Sequence, residues 1–267
     1  MSFYSLSGQL IHYQFTNQGM DKTFVLIHSL GTDFRIWDKV SNLLLPYGNV
    51  LLYDLRGHGL SDYCAAPDGL KDYCSDLSSL IDHLGISKNI IPIGLSVGGM
   101  IALLLANQLQ KRIIKMVLAD TCHKIGTTSN WNDRIKKVSE GGLVAISSEV
   151  VARWFSENYK SKFPDEIRGT KNMLERSPLQ GYIDTCAAIR DADLSMIART
   201  IDIPTLCLAG DEDRATTPED VKKLADLIKT SNYSIIKESG HLQCLDNPEK
   251  MTNLIVQFME SHNKHIP

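Results

Sequence analysis

The stretch Asn89-Ile-Ile-Pro-Ile-Gly-Leu-Ser-Val-Gly-Gly-Met100 decides the fold of this chain. An apolar run typical of a buried strand comes first, and a pattern typical of a helix runs from Val97 to Leu109. Between them, residues 94–98 match G-x-S-x-G, in which a sharp turn from strand to helix lifts a serine hydroxyl above the sheet. The turn brings backbone segments so close that glycine is needed on both sides. This setting predicts that Ser96 is a nucleophile.

Short apolar runs alternate with helical patterns on both sides of this turn. Buried strands that alternate with helices indicate βαβ units, and hence a mostly parallel sheet with helices on both faces. The predicted class is α/β, with an eight-stranded sheet that begins in a hairpin turning at Ser7-Gly8-Gln9. Strands are expected at residues 10–15, 24–27, 49–54, 89–93, 114–119, 204–209 and 233–237, and helices at 33–45, 70–84 and 97–109.

The alternation stops after Asp120. Residues 121–196 contain helical patterns and no buried strand. We therefore expect a core formed by residues 1–120 and 197–267, with residues 121–196 inserted between two core strands as an all-helical cap. Its expected helices are one that carries Trp131, Arg134, Ile135 and Val138 on one face, and others at 143–155, 165–175 and 178–189.

A serine hydroxyl needs a base to become a nucleophile near neutral pH. His241 follows the last predicted strand on a loop and is the expected base. In enzymes with this type of turn the triad follows the chain order serine, acid, histidine. Asp211, Glu212 and Asp213 compete for the place of the acid in the loop after residue 209. We favour Asp213, because it lies far enough past the strand for the loop to turn back toward His241.

Two backbone N–H groups are expected to bind the oxyanion that forms during attack. The first is the N–H of Val97, the residue after the nucleophile. The second is the N–H of Leu30, in the loop that follows the strand at 24–27. His28 in the same loop is interpreted as a residue that braces the turn, not as the base.

Composition and spacing exclude several other classes of protein. The net charge is −3 with mixed signs, so neither nucleic acid nor a membrane is an expected partner. No phosphate-binding glycine pattern and no metal-ligand spacing occurs, and the glycine-rich loop at 54–59 is interpreted as structural. Thus neither a cofactor nor a metal is expected.

No secretory signal or apolar span is visible, and the cysteines are scattered, so reduced thiols and a cytoplasmic location are expected. The cysteines are residues 64, 74, 122, 186, 207 and 244.

The chain resembles the α/β-hydrolase superfamily along nearly its whole length. The resemblance rests on the segments His28-Ser-Leu-Gly31, Tyr53-Asp-Leu-Arg-Gly-His-Gly59, Gly94–Gly98, Ala209-Gly210 with Asp213, and Gly240-His241. Many members carry His-Gly at the start of the first of these segments, where this chain has Ser29 after His28. The resemblance implies the α/β-hydrolase fold with a triad of Ser96, Asp213 and His241.

A narrower resemblance is to the 3-oxoadipate enol-lactonases of bacterial aromatic breakdown. It rests on residues 28–33 with Trp37-Asp38, and on segments of the predicted cap. Those segments are Lys124-Ile-Gly126, Trp131 with Arg134-Ile135, Arg153-Trp-Phe155, Gly181-Tyr182 and Cys186-Ala-Ala-Ile-Arg-Asp191. The resemblance implies a cytosolic, cofactor-free lactonase whose partner is a small carboxylated enol-lactone.

A substrate with a carboxylate calls for a cation in the cap. Arg134 is the candidate, because it lies one turn from Trp131 on the same helix face, and Arg190 is an alternative. Trp154 either lines the substrate pocket or packs the cap. Other functions stay open at this point: a carboxylesterase, a C–C hydrolase, a proline iminopeptidase, or a ligand sensor on this fold that signals through a partner protein.

Overall fold

An eight-stranded sheet with the order β1-β2-β4-β3-β5-β6-β7-β8 forms the centre of the computed structural model. The structure describes residues 2–63 and 67–261, so Cys64 lies outside the described residues. Strands β4, β3, β5, β6, β7 and β8 run parallel to one another, whereas β2 pairs antiparallel with both β1 and β4. The strands are β1 Ser2–Leu6, β2 Gln9–Thr16, β3 Thr23–Ile27, β4 Asn49–Tyr53, β5 Ile90–Leu95, β6 Met116–Ala119, β7 Thr205–Gly210 and β8 Ser231–Ile236.

The central strands are buried on both faces. Every residue of β3, β4, β5, β6 and β7 is buried, as expected for parallel strands covered by helices on each side. The edge strands β1 and β8 are partly exposed. The helices that accompany the sheet are α1 Asp38–Leu44, α2 Leu70–His83, α3 Val97–Gln108, α10 Pro218–Leu227, α11 Gln243–Asp246 and α12 Pro248–Glu260. The architecture is the one that the sequence predicts.

Between β6 and β7 the chain forms helices only, and we call this segment the insertion. Its helices are α4 Thr128–Gly141, α5 Val144–Trp154, α6 Glu157–Lys162, α7 Pro164–Glu175, α8 Leu179–Asp191 and α9 Ser195–Thr200. Helices α6 and α9 are absent from the sequence prediction, and α9 crosses the predicted boundary at residues 196 and 197. The division into a core of 1–120 and 197–267 and a cap of 121–196 stays a prediction.

One contact brings the backbone of the insertion against a core loop. A Cβ on Gly181 in α8 would overlap the carbonyl oxygen of Gly57, and a Cβ on Gly57 would lie 2.7 Å from the Gly181 Cα. Gly57 also has a positive φ of 67°. Glycine is therefore needed on both sides of this contact.

Most predicted elements differ from the structure by one or two residues in their bounds, and two of the differences have an evident physical reason. The helix expected at 33–45 is divided into a 3-10 turn Phe34–Trp37, α1, and a second 3-10 turn Leu45–Tyr47. Pro46 is accommodated near the start of the second turn, where its missing N–H costs no helical hydrogen bond. The last strand begins at Ser231, because the polar pair Ser231 and Asn232 still bonds to β7. Within residues 2–63 and 67–261, no helix is long and apolar enough to cross a membrane.

Candidate active site

Ser96 lies at the tight turn between β5 and α3. Its backbone has φ 57° and ψ −120°, a conformation that few side-chain-bearing residues adopt. The glycines on either side of Ser96 are needed because neighbouring backbone atoms leave no room for a side chain. A Cβ on Gly94 would overlap the carbonyl oxygen of Gly98, and a Cβ on Gly98 would overlap that of Ile27 in β3. The turn is fixed by the Ser96 N–H, which donates to Ala119 O at 3.0 Å.

His241 and Asp213 form a buried hydrogen-bonded pair. The distance from His241 Nδ1 to Asp213 Oδ2 is 2.8 Å, and both residues are 3% exposed. Asp213 is held in turn by the N–H of Ala215 at 2.7 Å and by the hydroxyl of Thr216 at 2.8 Å. With Nδ1 facing the carboxylate, Nε2 is the ring nitrogen left for a reacting group.

The other two acids of the same loop have different partners. Asp211 lies 3.4 Å from the ammonium of Lys237 and accepts the N–H of Ser239 at 3.3 Å. Glu212 accepts the N–H of Glu157, the first residue of α6, at 2.9 Å. Of the three predicted candidates, Asp213 is the one that the structure brings to His241.

Ser96, His241 and Leu30 line one cavity of about 390 Å³ beneath the insertion. No hydrogen bond joins the Ser96 hydroxyl to His241 among the described residues, where His241 Nδ1 contacts Asp213 and Thr216. Hydrogen bonds between a nucleophile and its base are often long in unliganded enzymes and shorten when substrate binds. The cavity is thus lined by both a potential nucleophile and a potential base.

The predicted oxyanion donors have positions that suit this role. Val97 is the first residue of α3, so its N–H is one of the four that have no partner within the helix. Leu30 lines the cavity from the loop after β3. His28 fixes that loop, because its Nδ1 lies 2.9 Å from Ser29 O and its Nε2 accepts the N–H of Leu55 at 2.9 Å. Burial lowers the pKa of His28, which favours the neutral ring that this bonding requires.

The three predicted substrate-binding residues also line the cavity. Trp131 donates its indole N–H to Ile125 O at 2.7 Å, and the Arg134 guanidinium lies 5.6 Å from the centre of the Trp131 ring. Trp154 is buried and forms part of the wall. The alternative cation, Arg190, is engaged elsewhere, in two hydrogen bonds of 2.7 Å to Asp191.

The sequence prediction missed several charged residues at this cavity. Arg214 directly follows the acid, and its place in the acid loop was the available signal. Glu149 in α5 forms ion pairs with Lys137, at 3.6 Å, and with Arg153. The charge of Glu149 is therefore compensated within the cavity wall.

Two carboxyl groups, Asp120 buried and Asp246 partly buried, hold the loops around Asp213 and His241, and neither has a sequence motif. Asp120 follows β6, accepts the Gly210 N–H at 2.8 Å, and is bonded by the Gln243 amide. Burial, and then the nearby charge of Asp213, hold the pKa of Asp120 well above its usual range. Asp246 accepts the N–H of Gly240, next to the base, at 2.6 Å.

Comparison with known proteins identifies the family. The model of the alpha/beta hydrolase family matches residues 24–253. The chain belongs to the α/β-hydrolase family. As a member of this family it is a hydrolase, and the fold predicted from the sequence is confirmed.

Within the α/β-hydrolase family, similarity is high to enol-lactonases. The chain is 31% identical to 3-oxoadipate enol-lactonase 1 of Acinetobacter baylyi over 254 residues, which cover 95% of this chain and 94% of that protein. It is 28% identical to 3-oxoadipate enol-lactonase 2 of the same organism, with the same coverage. The crystal structure of the enol-lactonase from Burkholderia xenovorans LB400 superposes with a TM-score of 0.92 at 29% identity, covering 97% of this chain and all of that chain. The resemblance inferred from the sequence is confirmed.

Among residues 2–63 and 67–261, no three His, Cys, Asp or Glu side chains come together as ligands for a metal ion. The roles of the individual site residues stay predictions, which the experiments below address.

Proposed function

We propose that this hydrolase opens the lactone ring of 3-oxoadipate enol-lactone (5-oxo-4,5-dihydro-2-furylacetate) to give 3-oxoadipate. The observation that carries the proposal is the cavity itself. Ser96 and His241 both line it, and Arg134 with Trp131 and Trp154 gives it a cation and flat apolar surface. Relatives named 3-oxoadipate enol-lactonase match nearly the whole chain and support this choice of substrate.

The first half of the proposed reaction forms an acyl-enzyme. Ser96 Oγ attacks the lactone carbonyl while His241 Nε2 takes the hydroxyl proton. Asp213 accepts the hydrogen bond from His241 Nδ1 and stabilises the positive charge that forms on the ring. The N–H groups of Val97 and Leu30 bind the oxyanion, a contribution typically worth about 10²- to 10³-fold in rate per donor.

Ring opening then breaks the bond between the carbonyl carbon and the ring oxygen. That oxygen leaves as an enolate, which takes the proton held by His241 Nε2 and becomes the ketone, so that the imidazole is neutral again. An enolate is a better leaving group than an alkoxide or an amine, so this step needs little help from a general acid. A water molecule, deprotonated by His241, next attacks the acyl-enzyme and releases Ser96. One water is consumed, and the product carries two carboxylates.

The carboxylate arm of the substrate is assigned to Arg134. Among the described residues no carboxylate lies within ion-pair distance of its guanidinium, and its Nη1 donates to the Tyr182 hydroxyl at 3.4 Å. A cation that no protein carboxylate neutralises is available to a ligand carboxylate. Trp131 and Trp154 would enclose the ring of the lactone. The reaction would belong to aromatic-compound catabolism through the β-ketoadipate pathway, in the cytoplasm.

The deciding experiment follows loss of the enol-lactone chromophore with the purified protein. An aryl ester and a proline anilide are assayed in parallel with the wild type and with the Ser96→Ala variant. We expect rapid, Ser96-dependent loss of the lactone and much slower turnover of the other substrates. Negligible turnover of the lactone beside rapid cleavage of the ester or the anilide would refute the substrate assignment. A single slow turnover followed by ligand-dependent binding of a partner protein would instead indicate a sensor.

A further inference from the structure

A second cavity, of about 720 Å³, lies between the first strands of the core and helix α7. We define it by His12, Phe34, Arg35, Met173 and Arg176, which contribute to its wall. It has no lining residue in common with the cavity that holds Ser96. The reaction proposed above therefore leaves it unexplained.

An imidazole is held rigidly on the core side of the second cavity. His12 Nδ1 lies 2.7 Å from Asp54 Oδ2, and the ring lies between Phe3 and Phe34, with centroid distances of 5.1 and 4.9 Å. The side chain is 8% exposed. Because Nδ1 is engaged, Nε2 is the ring nitrogen that a molecule in the cavity can reach.

The acidic groups of this wall are already engaged in hydrogen bonds within the protein. Asp54 accepts the N–H groups of Phe34 and Leu60, each at 2.9 Å, in addition to the contact with His12. Asp33 is bound through both oxygens by Arg35, at 2.9 Å from Nε and 2.7 Å from Nη2. Nη1 of Arg35 takes no part in this pairing with Asp33.

Helix α7 supplies the opposite wall. Gly169, Asn172, Met173 and Arg176 follow one another at helical spacing, so α7 and the residue after it present one face to the cavity. Arg176 is exposed, and no carboxylate lies within ion-pair distance of it among the described residues. Its guanidinium is thus a cation without a protein counter-ion at the edge of a partly apolar cavity.

We propose that the second cavity binds a small organic carboxylate. Arg176 and Nη1 of Arg35 would donate to the carboxylate, as guanidinium groups do in charge-assisted pairs. His12 Nε2 is the third polar contact. Phe34 and Met173 would pack against the apolar body of the ligand. This inference is independent of the proposed lactonase function.

The test is a titration of the full chain with benzoate, followed by calorimetry and by the imidazole nitrogen resonance of His12. Benzamide, which has the same shape without the charge, is the control ligand. Benzoate is expected to bind and to move the His12 resonance, and benzamide to do neither. Equal binding of benzamide, or a His12 resonance that does not move at saturating benzoate, would overturn the proposal.

Variants distinguish binding in the second cavity from binding in the cavity that holds Ser96. Arg176→Gln is expected to weaken the binding that moves His12 by about tenfold or more, the loss typical of one charge-assisted hydrogen bond. Asn172→Asp, which adds a negative charge to the same wall, should weaken it as well. The matched control is Arg168→Gln, since Arg168 is an exposed arginine of α7 that pairs with Asp165 and does not line the cavity. Arg134→Gln, in the other cavity, should leave this binding unchanged.

Asn172 and Arg176 are both at least partly exposed, so neither substitution is expected to prevent folding. Thermal unfolding checks that each variant is folded. If Arg176→Gln and Asn172→Asp both bind benzoate as tightly as Arg168→Gln does, the assignment of the carboxylate to this wall is wrong. The same holds if Arg134→Gln abolishes the shift of the His12 resonance.

Discussion

Ser96 shows how a single residue can be held in an unfavourable backbone conformation. The conformation costs on the order of 1–3 kcal/mol, and the surrounding glycines and strand contacts maintain it. We expect Ser96→Ala to lower kcat by on the order of 10⁴- to 10⁶-fold, because the nucleophile is removed while the turn stays intact. Steady-state kinetics with the enol-lactone measure the loss, and circular dichroism confirms the fold. A folded variant with a near-normal rate would exclude Ser96 as the nucleophile.

The acid can be tested by comparing two neighbouring carboxylates. Asp213→Asn is expected to lower kcat by on the order of 10⁴-fold, because an amide favours the wrong tautomer of the histidine. Asp211→Asn should change kcat only a few-fold, since Asp211 contacts Lys237 instead of His241. Both variants are assayed under identical conditions. Equal losses, or the reverse order, would contradict the assignment.

Arg134 offers a third test at the level of one side chain. Arg134→Gln is expected to raise KM for the enol-lactone about tenfold or more, through loss of a charge-assisted hydrogen bond. The effect on kcat should be smaller, because the carboxylate arm is remote from the reacting bond. Arg190→Gln is the matched control, since Arg190 already pairs with Asp191. A larger change in KM for the Arg190 variant would transfer the role to that residue.

Among the secondary-structure elements, the connection between α5 and α6 brings the insertion into contact with the loop that carries His241. Trp154 O accepts the N–H of Leu242 at 2.9 Å, and the Ser156 N–H donates to Asp246 at 3.0 Å. The same Asp246 oxygen accepts the N–H of Gly240 at 2.6 Å. One carboxyl group therefore joins the loop of the base to the wall that carries Trp154.

This carboxyl group gives the connection a pH dependence. Burial, with a smaller contribution from Glu212, raises the pKa of Asp246 from 3.8 to about 6. The folded protein thus binds the proton more tightly than the unfolded chain does. The stabilisation is complete below pH 4 and is lost as the pH rises through 6.

The variant Asp246→Asn keeps an oxygen acceptor and cannot ionise. Relative to it, we expect the free energy of unfolding of the wild type to fall by on the order of 2 kcal/mol between pH 4 and pH 7. Urea unfolding at both pH values measures this difference. A difference that does not vary with pH would show that the Asp246 carboxyl group has the same pKa in the folded and unfolded states.

At the scale of the whole molecule, buried histidines set a limit on acid stability. His58 is fully buried, its Nδ1 lies 3.1 Å from Arg56 O, and its Nε2 has no hydrogen-bond partner among the described residues. Burial, and then the nearby His28, lower the pKa of His58 to about 3. Below pH 6.5 the unfolded chain therefore binds a proton at His58 that the folded protein does not bind. The free energy of unfolding consequently decreases as the pH is lowered.

We expect the wild type to lose about 2 kcal/mol of unfolding free energy between pH 7 and pH 5, relative to the variant His58→Gln. Urea titrations of the two proteins at each pH give the value. Parallel pH dependences would mean that His58 already titrates normally in the folded protein.

Local sequence was enough to predict most strands and the tight turn at Ser96, because each depends on residues close together in the chain. The contact between Asp213 and His241 was expected from the chain order of the triad in this fold, not from a local pattern. The strand order around β3 and β4 and the short helices α6 and α9 depend on packing, which no local pattern encodes. The supporting carboxyl groups are hidden for the same reason. Ser156 and Asp246 are 90 residues apart, and Asp120 and Gln243 are 123 residues apart. Such contacts appear only once the chain is folded.

The close approach of Gly57 and Gly181 matters for anyone who wishes to exchange the insertion for that of another hydrolase. Neither position leaves room for a methyl group, so a chimaeric enzyme would need glycine in the donor helix as well as in the recipient loop. An alanine on either side would push α8 outward and widen the cavity that the helices enclose. Backbone clearance at this crossing is therefore one condition that the two parts of such a hybrid must meet.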